Sequence, residues 1–173
     1  MPPTVTAPLA APAVGAPDPM QWTAALRTGD ARIDATHQEF VGMINQILAT
    51  PEDLQLPVYK AFLDHTVQHF AQEERWMLAT GFSADNCHAE HHATILETMR
   101  AVEAHYLDSD KTIITRMAEA LAEWFPGHAN SMDAGLAAHL KSVGFDSESE
   151  TLADPSTIKT VTMSGCGSVS CSS

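Results

Sequence analysis

Four runs of apolar residues recur at helical spacing, and each carries histidine or a carboxylate on its apolar face. The first places His37, Phe40, Val41, Ile44, Ile47 and Leu48 on one face, and Pro51 stops it. The second holds Phe62, Thr66, His69, Phe70, Glu73, Trp76 and Met77 and ends at Gly81. The third holds His88, His92, Ile95, Leu96, Met99 and Val102. The fourth holds Ile113, Met117, Leu121, Trp124, His128, Met132 and Leu136, and Gly144 closes it. The connections, near 50–55, 80–85 and 107–110, are short, which sets consecutive helices antiparallel. The expected fold class is all-α, an antiparallel up-down-up-down four-helix bundle. No β-hairpin signal is present.

The flanks read differently. Residues 1–19 are rich in Pro and Ala, which forbids a stable helix and predicts a disordered arm. Residues 146–173 turn to Ser, Thr, Gly and acids and predict a disordered tail. The bundle is thus expected over 20–145. The net charge of −13 argues against nucleic acid or an anionic membrane as partner. No stretch approaches the roughly 20 apolar residues of a membrane span. The N-terminus shows no signal peptide, so a cytoplasmic location is expected. Cys87, Cys166 and Cys171 do not form a secreted disulfide framework; Cys87 reads as packing and the tail pair as incidental thiols.

Burying a lone imidazole or carboxylate among apolar side chains is costly, and metal ligation is one way to offset it. His69 and Glu73 are four apart, as are His88 and His92, so each pair shares a helix face. His37 stands alone on the first helix, and His128 and Asp133 are five apart on the fourth. Counted from their loops, His37 and His69 both sit roughly 18–20 Å along their helices, and the remaining residues reach a common level by the same count. On an ideal α-helix, five residues leave His128 and Asp133 about 140° apart. Either a π-type turn lies between them or the two straddle a centre from opposite sides.

Five imidazoles and two carboxylates suit iron, manganese or zinc, and seven ligands exceed what one ion with an open position can use. Two ions bridged by the two carboxylates use them all. Glu-x-x-His motifs of carboxylate-rich di-iron bundles are absent, which makes this a histidine-rich site.

Trp22, "IDATHQEF" from Ile33, "HFAQEERWM" from His69, "HAEHH" from His88 and "WFPGHANSMD" from Trp124 together resemble the hemerythrin family, most closely its bacterial single-domain form. The resemblance covers roughly Gln21 to Val143. It implies two iron ions (Fe2+/Fe3+) with an oxo or hydroxo bridge. His88, His92 and His128 would bind one iron, and His37 and His69 the other, which keeps an open position. Glu73 and Asp133 would bridge them. Glu74 lies five residues after His69, off that face, and is not expected to matter. The implied activity is reversible dioxygen binding for storage, delivery or sensing, with no enzymatic turnover.

Phe70, Trp124, Phe125 and Ala129 are expected to wall the oxygen site, although each also reads simply as core. Relatives usually carry Leu and a larger aliphatic where this chain has Phe125 and Ala129; the bulkier Phe125 is expected to crowd the site, and Ala129 to leave a gap that admits water and speeds loss of bound oxygen. Two alternatives use the same centre: an enzyme reducing peroxide, nitric oxide or dioxygen, and an iron or redox sensor. His65, His91, His105 and His139 read as ordinary structural or surface histidines.

Overall fold

The computed structural model describes residues 19–158. The expected N-terminal arm, apart from Pro19, lies outside them, as do Cys166 and Cys171.

Helix α1 (Ala31–Ala49) begins where the Asp30 carboxylate accepts from the backbone N–H groups of Arg32 and Ile33, two donors no helical carbonyl can reach. Helix α2 (Gln55–Ala79) follows a single 3-10 turn. It stops just before Gly81, whose φ of 97° carries the chain out of the helix. Helix α3 (Cys87–Asp108) is capped by Asn86, which accepts from Ala89 N–H. Helix α4 (Ile113–His128), a π-helical turn (Ala129–Asp133) and helix α5 (Ala134–Val143) run on without a break as one rod, ended by left-handed Gly144. Of the two arrangements that the His128–Asp133 spacing allowed, the π turn is the one present. Helix α1 packs on α2 and α4, and α3 packs on α2 and α4, so the four rods form a helical bundle.

The core is divided. One apolar cluster, with Phe40, Ile44, Phe62, Met99, Leu121 and Phe125, fills most of the bundle. A second, with Ile33, Trp76, Met77, Leu136, Leu140 and Phe145, fills the other end. In α1 the residue between the two clusters is His37, and in the long rod His128 and Asp133 separate Phe125 from Leu136. The polar residues thus occupy a layer between two apolar plugs.

The chain just after the bundle departs from expectation. Residues 145–158 fold back on it instead of trailing away. Strands β1 (Phe145–Asp146) and β2 (Thr151–Leu152) pair antiparallel. The cause is local turn chemistry plus an anchor, neither of which appears as periodic hydrophobicity. Asp146 accepts from the N–H groups of Glu148 and Ser149, which closes the turn. Phe145 is buried beside Trp76, and the Ser147 hydroxyl donates to Asp30 at 2.8 Å. Cys87 is also more than packing: it is disulfide-bonded. Among the described residues, no helix is long and apolar enough to cross a membrane.

Candidate metal centre

Seven polar side chains fill the layer between the two apolar clusters: His37, His69, Glu73, His88, His92, His128 and Asp133, all buried. Each helical rod contributes. His69 and Glu73 stack one turn apart on α2, as do His88 and His92 on α3. On the long rod, the π turn absorbs the extra residue between His128 and Asp133, so both point inward.

The donor atoms fall into two overlapping groups. Glu73, His88, His92, His128 and Asp133 each offer an atom within 4.8 Å of the others, and His37, His69 and Glu73 do the same. Asp133 reaches His88 at 3.0 Å and His128 at 3.1 Å through one oxygen, and His37 at 3.1 Å through the other. Glu73 reaches His69 at 3.1 Å with one oxygen, and His88 and His92 at 3.4 and 3.5 Å with the other. Each carboxylate therefore faces both groups.

These contacts do not satisfy the cluster. Nε2 of His37 and His88, Oε2 of Glu73 and both Asp133 oxygens are buried with no hydrogen-bond partner. Buried polar atoms are normally paired, so convergent orphan donors of mixed imidazole and carboxylate type fit a metal site. The cluster's charges agree. Burial opposes ionisation of Glu73, but His69 and His88 outweigh it and bring its carboxyl down to about 2. Burial likewise opposes charge on Asp133, yet His128, His37 and His88 hold it well below the usual carboxylate range. Burial penalises charged His88, and the two carboxylates still raise it to about 9. His69 moves up despite burial, chiefly through Glu73. Burial dominates at His92, which falls to about 4. Metal binding would take over the positive role that the protonated imidazoles play beside the carboxylates.

Aromatic rings enclose the layer. Phe70 stacks on His92 with ring centres 3.7 Å apart and lies 5.4 Å from His69. Phe125 meets His37 edge-on at 4.9 Å. Trp124 stacks on His128, so it borders the five-donor group rather than His37 and His69. Phe40 was absent from the expected wall, yet its ring stacks on Phe125 at 4.9 Å and lies 6.3 Å from His69. Its place three residues after His37, on the same helix face, was the available signal. The expected gap at Ala129 is not seen: Ala129 is 1% exposed and packs in the cluster that holds Phe40 and Phe125.

The remaining histidines lie outside the layer. His65 faces Glu39 at 3.7 Å, and His139 contacts the Thr80 carbonyl at 2.9 Å. A surface groove of about 380 Å³ between α1 and α2, lined by Arg32, Glu39, His65 and Arg75, reaches His69.

Comparison with known proteins gives a consistent result. Residues 28–140 match the family described as hemerythrin HHE cation binding domain. A bacteriohemerythrin of Ralstonia nicotianae is 34% identical over 134 residues, which cover 78% of this chain and 98% of that one. A bacteriohemerythrin of Pseudomonas aeruginosa is 25% identical over 118 residues, covering 66% of this chain and 76% of that one.

Proposed function

The chain belongs to the hemerythrin family, and from that premise we propose that it binds dioxygen reversibly at a non-haem di-iron centre. One iron would be held by His88, His92 and His128, the other by His37 and His69, with Glu73 and Asp133 bridging. The observation that carries this reading is the unequal donor count. Five residues converge at one end, whereas His37 and His69 share the other with the bridging carboxylates alone. An ion held there would have fewer protein donors and so room for an outside ligand.

Reduced iron supplies the electrons that dioxygen accepts on binding. The protein's part is to hold the ions and keep bulk water away. Glu73 and Asp133 place two negative charges between the two sets of imidazoles, which offsets cationic charge in an apolar interior. Phe40, Phe70 and Phe125 border the His37–His69 end with rings that cannot hydrogen-bond, which disfavours water on that side; Ala129 is buried in the same cluster as Phe40 and Phe125. Trp124 braces His128 from the far side.

We also propose that the four rods alternate in direction, as their short connections favour, and that the domain occupies 20–145 with the hairpin appended. The family match over 28–140 supports those limits. The disulfide at Cys87 weighs against the reducing cytoplasm expected from the sequence; alkylation of Cys87 in intact cells, compared before and after reduction, would distinguish the compartments.

The test is spectroscopic. Protein loaded with ferrous iron under nitrogen should bind two irons per chain, develop an absorption band in air and lose it under vacuum, through repeated cycles. Irreversible bleaching, or rapid turnover with peroxide or nitric oxide, would favour the reducing enzyme instead. A band that forms only once and changes the protein's association state would favour the sensor.

A further inference from the structure

We propose that Glu74 is the residue that positions His92 for metal binding, by accepting the hydrogen on the ring nitrogen that faces away from the metals. The inference rests on the metal-centre reading above and concerns a side chain outside the ligand set.

An imidazole that binds metal through one nitrogen carries hydrogen on the other, and an acceptor for that hydrogen fixes the tautomer and the ring orientation. Nε2 of His92 points into the cluster, 3.2 Å from His128 Nε2 and 3.5 Å from Glu73. Nδ1 lies on the opposite side of the ring, buried and without a hydrogen-bond partner. Glu74 Oε1 faces it at 3.6 Å. Among the described residues, His92 is the only one of the five cluster histidines with a carboxylate in ion-pair reach of its outer nitrogen. Every other contact between these histidines and a carboxylate runs through Nε2.

The helix explains the division of labour. Successive residues of α2 are about 100° apart around its axis, so Glu73 turns into the bundle while Glu74 turns toward α3. Phe70, one turn earlier, stacks flat on the His92 ring with planes 3° apart. Phe70 thereby sets the plane of the ring, and Glu74 decides which nitrogen faces inward. The Glu74 side chain is 42% exposed, so its charge remains solvated and carries little burial penalty. It borders a small pocket of about 100 Å³, which gives the carboxylate room to turn toward Nδ1 from its present 3.6 Å.

The experiment uses full-length chain with Glu74→Ala and Glu74→Gln. Gln keeps an acceptor oxygen without the charge. Transfer of iron to an external chelator gives the release rates. In zinc-loaded, diamagnetic protein, the Nδ1–H proton resonance of His92 reports its acceptor directly. In Glu74→Ala, one of the two irons should leave about 10–100-fold faster than in the parent, and the resonance should move upfield or exchange away. In Glu74→Gln, both should return most of the way. Parental release rates and an unmoved resonance in Glu74→Ala overturn the assignment, as does a Gln variant no better than Ala. The dioxygen reading fails separately, if parent protein takes two irons yet gives no reversible band. The rates and the resonance do not depend on that gas.

Discussion

The two ends of the polar layer use the same residue types and differ in how many candidate donors their helices deliver. At the crowded end, α2, α3 and the long rod bring five residues within 4.8 Å of one another. At the sparse end, α1 contributes only His37, beside His69 and Glu73 from α2. The difference originates in backbone periodicity. A regular α-helix presents two ligands inward when they are four apart, as on α2 and α3. The long rod presents two that are five apart because a π turn rephases it. Helix α1 is regular and carries one ligand. On the di-iron reading, an open position at the sparse end would follow from a single helix with nothing to pair with His37.

Removing what the two ends share should break the comparison outright. Asp133 touches His37, His88 and His128, so Asp133→Ala should take iron content from two per chain toward none. Iron analysis after gel filtration, with circular dichroism to confirm folding, is the check; one tightly held iron in this variant would refute bridging. Next in size, His37→Ala should empty only the sparse end. One iron should remain, and air should no longer generate the absorption band.

Acidity should separate the ends more gently. Folding raises His88 from 6.5 to about 9, so its contribution to stability is complete below pH 6.5 and is lost as pH rises through 9. Folding lowers His92 from 6.5 to about 4, so the unfolded chain gains protons first and stability falls as pH drops from 6.5 to 4. Glu73 is lowered from 4.5 to about 2, and its share is present above 4.5 and disappears as pH falls through 2. Metal-free protein should therefore melt highest near pH 6.5 and lower on both sides. Metal must displace the proton of His88, so metal affinity should climb with pH up to about 9. A melting temperature that rises steadily from pH 6.5 to 9 would contradict this.

Packing at the sparse end gives the smallest effect. Ala129 is buried against the Phe40 and Phe125 cluster, so Ala129→Ile should overpack it and cost about 1–3 kcal/mol. At about 2–4 °C per kcal/mol for a chain of this size, calorimetry resolves the loss. A variant as stable as the parent would reveal a void at Ala129 after all.

Much of this was legible in the sequence, because the bundle and its buried polar cluster both follow from short-range geometry. Spacings of three and four define the helix faces, and a polar residue on an apolar face identifies itself. Arithmetic showed that His128 and Asp133 cannot share a face on a regular helix, and the structure chose the π turn over a straddled centre. Tertiary structure decided whatever depends on neighbours distant in the chain. Glu74 looked like a surface residue because spacing says only that it leaves the face of His69; that it turns toward His92 depends on where α3 lies. Trp124 and Phe40 could each belong to either end until the helices were packed. The hairpin after Phe145 depends on a turn closed by Asp146 and on anchors at Trp76 and Asp30, more than sixty residues away. Periodicity records how one helix repeats, and contacts between helices depend on rotations and offsets that no single helix encodes.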